Sequence, residues 1–162
     1  LDTDNVEDVH DKLMHLGGDL VLETVDNIIA NNVHPIPQSK FTTNEPLRPA
    51  PKIFKETCRI DWTKDVKRTY DFVRGLSPYP AAWTELSHNN KTSVLKIYAT
   101  KKEFCDVAEP IGSIITDGKT YFKVAQSNGY QHLLTIQLAG KKRMQIVDFL
   151  RGFHADSHIS VK

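Results

Sequence analysis

Residues 113–138 read SIITDGKTYFKVAQSNGYQHLLTIQL, and this stretch decides the fold. Runs rich in β-branched and aromatic residues alternate there with Asp117-Gly118 and Asn128-Gly129. These dipeptides favour tight hairpin turns, because Gly, Asn and Asp tolerate the positive φ angles that such turns require. The stretch therefore predicts three antiparallel strands, over residues 113–116, 120–125 and 132–138.

The residues on the N-terminal side of this stretch continue the β pattern. Ala82 to Leu86 and Ser93 to Thr100 predict two more strands, separated by a turn at Asn89-Asn90. Further upstream, an apolar spacing of three and four predicts a short helix over 64–74, with Thr63 as its N-cap and Gly75 as its stop.

A second small helix is predicted at the other end, over Gln145 to Arg151, with Gly152 as its stop. Five strands within some 60 residues, flanked by short helices, predict a mainly β fold of the α+β class. The expected architecture is a small antiparallel barrel like the oligonucleotide/oligosaccharide-binding (OB) type. An SH3-like barrel is the competing architecture.

The first third of the chain has a different character. Apolar residues recur at helical spacing from Val6 to about Asn31, after Asn5 as a capping residue, and Gly17-Gly18 leaves open whether this is one helix or two. Residues 34–51 hold five prolines and predict an extended linker, since proline fits neither a helix interior nor a central strand.

Composition sets the broad class of the protein. The 162 residues are 40% hydrophobic and 25% charged, which is typical of a globular domain, and no apolar run is long enough to span a bilayer. Residues 1–50 carry three bases against nine acids, net −6, whereas residues 51–162 carry eighteen bases against eleven acids, net +7. The chain starts at Leu1 without Met or a signal peptide, so we expect a piece of a longer, soluble protein.

Residues that could carry catalysis are sparse. The glycines never form a phosphate-binding loop, and the helix-spaced pair His154 and His158 lies in a polar tail without an acidic ligand, so no metal site is expected. The two cysteines, Cys58 and Cys105, fit a reducing cytosol, with Cys105 expected as buried filler.

Basic residues form the most informative pattern. Two groups stand out, one at the end of the linker and one after the last strand, and exposed cations of this kind can follow a phosphate backbone. Because aromatic residues are few, backbone contacts to a structured RNA are favoured over stacking on single strands. A merely solvated surface is the alternative. The candidate contact residues are Lys52, Lys55, Arg59, Lys141, Lys142 and Arg143.

Three segments together resemble the C-terminal half of the methionyl-tRNA formyltransferase family. They are VHDKL at 9–13; APKI at 50–53 leading through RIDW at 59–62 to VRGLSPYPAAWT at 73–84; and AGKKRM at 139–144 with DFLRG at 148–152. In the second segment, the match at Trp83 is also explained by a tryptophan anchored in the core.

The resemblance implies an enzyme that formylates the amino group of methionyl initiator tRNA in translation initiation, with 10-formyltetrahydrofolate as donor. It implies residues 1–33 as the last helix of an N-terminal α/β formyltransferase domain, 34–62 as linker, and 63–162 as a tRNA-binding domain. The six cations would contact the tRNA. The family's catalytic residues and folate pocket map upstream, so none is assigned here, and Leu1-Asp2-Thr3-Asp4 is not equated with the catalytic segment it imitates.

We further expect a cytoplasmic monomer without metal or membrane contact. The alternative is a structural accessory domain of a sugar-nucleotide or folate formyltransferase. The exposed Lys141-Lys142-Arg143 run distinguishes the two, because a purely structural barrel has no need of it.

Overall fold

The described residues of this computed structural model, 1–41, 46–89, 91–153 and 159–162, fall into two units. The first comprises Leu1–Glu7 together with Phe54–Lys162, and the second comprises Asp8–Ile53. The first unit contains the strands, so it carries the architecture that the turn dipeptides predict.

Antiparallel pairing joins the strands of the first unit into one sheet. Its order is β3-β4-β5-β2-β1-β7, with β6 paired to β5. An isolated bridge between Ser113 and Ser160, together with a hydrogen bond from Val161 N to Gly112 O at 3.0 Å, links the two ends of this order. The sheet is therefore a nearly closed barrel, and the predicted fold class is confirmed. The strands are β1 (Ala82–His88), β2 (Lys91–Phe104), β3 (Ile114–Thr116), β4 (Phe122–Gln126), β5 (Gly129–Leu138), β6 (Met144–Gln145) and β7 (Ser160–Val161).

The five predicted strands correspond to β1–β5, and the Asp117-Gly118 and Asn128-Gly129 turns lie between the expected pairs. β6 and β7 were not predicted, because two residues are too few to show alternation. The turn at Asn89-Asn90 is described only to Asn89, and the pair His154 and His158 lies outside the described residues.

Alternate residues of the strands fill the barrel. Leu95, Ile97, Phe122, Leu133 and Ile136 are all at most 1% exposed. Burying a side chain of this size contributes about 1.5–3 kcal/mol, so these positions also fix which face of each strand points outward.

A helix, α2 (Val66–Leu76), closes one side of the barrel, but its ends differ from the prediction. Asp65 is the N-cap, not Thr63, because its Oδ1 accepts the backbone N–H of Arg68 at 2.8 Å. Thr63 instead donates to Asp61 in a turn before the helix. The helix also continues through Gly75 to Leu76, so Gly75 is not its stop. The last helix, α3 (Ile146–Leu150), lies within its predicted span.

Gly129, at the start of β5, occupies a position where only glycine fits. A Cβ atom there would lie 1.9 Å from the carbonyl oxygen of Glu103 on the paired strand β2. The close approach of the two backbones therefore requires glycine, which the hairpin signal Asn128-Gly129 contains.

The second unit consists of most of α1 (Val6–Ile29) and the segment that follows it. The helix is continuous through Gly17-Gly18, which decides the question that the sequence left open, and none of its residues is buried. In the described part of 34–51, the regular structure is limited to a 3₁₀ turn at Gln38–Lys40.

The domain boundaries at 33 and 62 stay predictions. Cys58, Ile60 and Trp62, just before the second boundary, are nevertheless buried in the first unit. The indole N–H of Trp62 donates to Thr84 Oγ1 at 2.9 Å, which ties this segment to β1. Part of the predicted linker thus contributes to the barrel core.

Candidate nucleic-acid interface

Lys55 and Arg59, which we call the Trp83 pair, share one aromatic ring. The Lys55 Nζ lies 5.9 Å, and the Arg59 Cζ 5.4 Å, from the centroid of the Trp83 ring. The indole N–H donates to the Lys55 carbonyl oxygen at 2.8 Å, which fixes the ring against the same segment. Both cations are exposed, so the ring orients them without removing them from solvent.

The backbone of this segment runs alongside β1. Arg59 forms an isolated parallel bridge with Trp83, and the N–H of Ile60 donates to the Trp83 carbonyl at 2.8 Å. The Arg59 guanidinium also donates to Glu85 at 2.8 Å. Because Ile60 is buried beside it, the position of Arg59 is set by the barrel core.

Residues 141–143, the KKR loop, connect β5 to β6. Gly140 begins the loop with a φ of +77°, a conformation that glycine adopts readily, and the Lys141 N–H donates to the Leu138 carbonyl at 2.9 Å. All three cations of the loop are exposed. The turn therefore presents three positive charges to solvent while its backbone is held by the end of β5.

An aromatic ring also supports the KKR loop. The Arg143 Cζ lies 4.2 Å from the centroid of the Tyr98 ring. The Tyr98 hydroxyl donates to Gln137 Oε1 at 2.7 Å, and the Gln137 Nε2 donates to the Lys141 carbonyl at 2.9 Å. A single chain of contacts thus connects strand β2, strand β5 and the loop.

Five of the six predicted contact residues therefore belong to two groups in the first unit, the Trp83 pair and the KKR loop. The sixth, Lys52, belongs to the second unit and stays a prediction. The supporting role of the two rings was not predicted from the sequence. Trp83 packs against the core, as the explanation by a core anchor expects, but it stays partly exposed and also lies near the two cations. Tyr98 gave no signal, because its partners are 39 and 45 positions away in the chain.

A second polar cluster links β2, β4 and β5. The Lys123 Nζ lies 3.1 Å and 3.2 Å from the two carboxylate oxygens of Glu103, which also binds the His132 ring. The hydrogen bond with His132, and next the one with Lys123, hold the pKa of Glu103 below its ordinary value of 4.5. Tyr130 donates to Glu109, and this bond raises the pKa of Tyr130 to about 12. Glu103 therefore stays ionised and Tyr130 stays neutral near pH 7, so neither has the pKa near the working pH that general acid–base catalysis favours.

One of the two cysteines is placed contrary to expectation. Cys58 is 1% exposed, whereas Cys105 is exposed, so the prediction of Cys105 as buried filler is wrong. Partial desolvation and then the charge of Glu103 raise the pKa of the Cys105 thiol, which works against nucleophilic chemistry.

Across the parts of the chain that the structure describes, no group of three or more His, Cys, Asp or Glu side chains is arranged to hold a metal ion. The helices described here are also too short or too polar to cross a bilayer.

The fold and the two cation groups define a small antiparallel barrel domain with a basic outer face supported by aromatic rings. Comparison with protein families gives a match over residues 52–154 to the family described as "Formyl transferase, C-terminal domain". The chain belongs to this family, which confirms the resemblance found in its motifs.

Three curated relatives carry the same name. A methionyl-tRNA formyltransferase of Phocaeicola vulgatus is 62% identical over 163 residues, which cover 99% of this chain and 50% of the relative. The protein of that name in Bacteroides fragilis is 54% identical, with coverage of 99% and 50%. The one in Flavobacterium psychrophilum is 39% identical, with coverage of 93% and 46%. The chain spans about half the length of these relatives.

Among solved structures, a variant of HypX from Aquifex aeolicus matches with a TM-score of 0.55 and 18% sequence identity. The match covers 85% of this chain and 24% of that protein. At this identity the likeness is one of fold alone.

Proposed function

We propose that this chain is the C-terminal half of a methionyl-tRNA formyltransferase and that it binds and orients the tRNA substrate. The complete enzyme would transfer the formyl group of 10-formyltetrahydrofolate to the amino group of methionyl initiator tRNA, as a cytoplasmic monomer. The names of relatives up to 62% identical support the activity of the complete protein.

One observation carries the role of this half: two groups of exposed cations supported by aromatic rings. Each group is attached to backbone that the barrel fixes, at Ile60 and at the end of β5. Cations held in this way can neutralise phosphates at defined positions, which orients a folded RNA without reading its bases. Lys52, Lys55, Arg59 and the KKR loop are the proposed contacts.

The chemistry of the reaction is assigned to residues outside this chain. Two observations support this assignment: the described residues contain no group of His, Cys, Asp or Glu arranged to hold a metal ion, and Glu103 is paired with Lys123 and His132. Positioning contributes to catalysis because it turns a bimolecular encounter into a reaction between groups already in place. The barrel would thus lower the barrier by placing the aminoacylated end of the tRNA at a site upstream.

The test compares the complete enzyme with this chain. Purified separately, each is incubated with methionyl initiator tRNA and the folate donor, and formylmethionine is measured; each is also titrated with the tRNA. We expect formylation by the complete enzyme only and tRNA binding by both. Formylation by this chain would refute the assignment of the chemistry. Absence of tRNA binding at low salt would refute the binding role and favour a structural accessory domain.

A further inference from the structure

The strand register places one more cation between the two groups. Trp83 on β1 is paired directly with Lys96 on β2, and Lys96 is paired directly with Gln137 on β5. Residues paired in this way project from the same face of a sheet. Arg59, Trp83, Lys96 and Gln137 therefore lie in a row on the outer face, one on each of four neighbouring segments. We call these four residues the strip.

Lys96 cannot turn away from this face. Its neighbours Leu95 and Ile97 point to the other side and are fully buried, with exposed fractions of 0% each. A shift of the register by one residue would expose both of them to water, so the barrel core fixes the direction of Lys96. Its side chain is exposed, and it forms no ion pair with a carboxylate in the described portion of the chain.

The strip has the dimensions of a short stretch of nucleic-acid backbone. Adjacent strands are about 4.8 Å apart, so three spacings from Arg59 to Gln137 give about 14 Å. One strand of duplex DNA presents a phosphate about every 3.4 Å along its axis, and the spacing in an RNA stem is of the same order, so this length corresponds to several phosphates. The KKR loop continues the strip at its Gln137 end, because Gln137 binds the Lys141 carbonyl.

The rings of Trp83 and Tyr98 favour a helical RNA over a single strand. Proteins that bind single strands stack bases on exposed aromatic faces. Here Arg143 lies over Tyr98, and Lys55 and Arg59 lie near the ring of Trp83, so cations already occupy positions at these rings.

We propose that Lys96 contacts phosphate and joins the Trp83 pair and the KKR loop into one surface that binds the backbone of a helical RNA stem. Gln137 acts as a positioning residue, since it holds the KKR loop through the Lys141 carbonyl. This inference rests on the proposed tRNA-binding function and extends it to a residue that the sequence motifs do not mark.

The experiment measures binding of an initiator tRNA transcript to the 162-residue chain by fluorescence anisotropy, from 50 to 200 mM salt. Lys96→Ala should weaken binding at 50 mM by about threefold to tenfold and reduce the slope of log affinity against log salt by about 0.7–0.9. Lys96→Arg should retain both values. Lys119→Ala removes the same charge from the β3–β4 turn, outside the strip, and should change affinity by less than about twofold.

A second variant tests the positioning role. Gln137→Ala removes the bond to the loop but no charge, so it should weaken binding while leaving the salt slope unchanged. The positioning role of Gln137 would be refuted if this variant reduced the salt slope as much as Lys96→Ala does, or if it bound tRNA with unchanged affinity. Urea unfolding checks that each variant keeps its folded state.

The outcomes separate the two proposals. If the unmodified chain binds tRNA and Lys96→Ala binds it with an affinity within twofold at both 50 and 200 mM salt, the proposed phosphate contact of Lys96 is refuted. The tRNA-binding function of the chain is then still supported. If an unstructured RNA of equal length binds as tightly as tRNA, the preference for a helical backbone is wrong. If the unmodified chain does not bind tRNA at 50 mM salt, both the tRNA-binding function and the proposed contact of Lys96 with phosphate are refuted.

Discussion

Replacing all three residues of the KKR loop by alanine should weaken tRNA binding in a salt-dependent way. Each phosphate contact contributes about 0.7–0.9 to the slope of log affinity against log salt, so three contacts contribute about 2.1–2.7. Over a fourfold rise in salt, from 50 to 200 mM, this difference in slope amounts to about 20- to 40-fold. The ratio of wild-type to variant affinity should therefore shrink by that factor across the range.

The same substitution should leave the fold nearly unchanged. The hydrogen bonds that hold the loop, from Lys141 N to Leu138 O and from Gln137 Nε2 to Lys141 O, use backbone atoms of the loop. The loss that bears on stability is the contact of Arg143 with Tyr98, worth about 0.5–1 kcal/mol at an exposed site. Urea unfolding should thus show a loss of about 1 kcal/mol or less.

A matched control removes three exposed cations from elsewhere on the first unit: Lys91, Lys101 and Lys119. Its net charge equals that of the loop variant, so a general electrostatic effect would weaken binding equally in both. We expect the loop variant to lose more. Equal losses, or an unchanged salt slope in a folded loop variant, would refute phosphate contacts by residues 141–143.

Three predictions concern stability, each measured by urea unfolding. Gly129→Ala should lower the free energy of unfolding by about 3 kcal/mol, because the new Cβ would lie 1.9 Å from the Glu103 carbonyl oxygen. Gly118→Ala meets no atom within 4 Å and should lower it by about 1 kcal/mol, because of the positive φ at this position. Equal losses of stability in the two variants would contradict this prediction. Trp62→Phe should cost about 1–3 kcal/mol, because Thr84 loses a buried donor; an unchanged midpoint would argue against that bond. Because the pKa of Glu103 is lowered on folding, its carboxylate stabilises the fold above its ordinary pKa of 4.5, and this stabilisation is lost as the pH falls further. In Glu103→Gln the free energy of unfolding should therefore decrease less steeply below pH 4.5. The same pH dependence of stability in this variant and in the unmodified chain would refute the prediction.

Local signals predicted most of the barrel. Strands β1–β5 follow from alternation and from dipeptides such as Asp117-Gly118, whose physical basis lies within a few residues. The local pattern predicted the wrong N-cap for α2, because two nearby residues fit that position. Thr63 and Asp65 are both acceptable N-caps, and the choice depends on Val66, whose N–H donates to Asn128 Oδ1 at 3.0 Å on the β4–β5 turn.

The candidate site was predictable in its charges and unpredictable in its geometry. The KKR loop is visible in the sequence as a run of cations after a strand. Its connection to Tyr98 and Gln137 depends on the pairing of β2 with β5, which includes a register shift between Ile97 and Ala99. A bulge of this kind changes which residues face each other and has no marker in a single sequence. Lys96 was missed for the same reason, because only the register places it between the two groups.

The aromatic supports explain how a small barrel can present long, mobile side chains at fixed positions. A lysine or arginine carries about 2 kcal/mol of rotamer entropy, and part of it is lost whenever the side chain is fixed on a phosphate. A cation that already lies over Trp83 or Tyr98 has given up some of that freedom in the free protein. Less is then lost on binding, which raises affinity without adding charge. The rings should therefore affect the affinity at every salt concentration equally, whereas the cations should determine the salt slope.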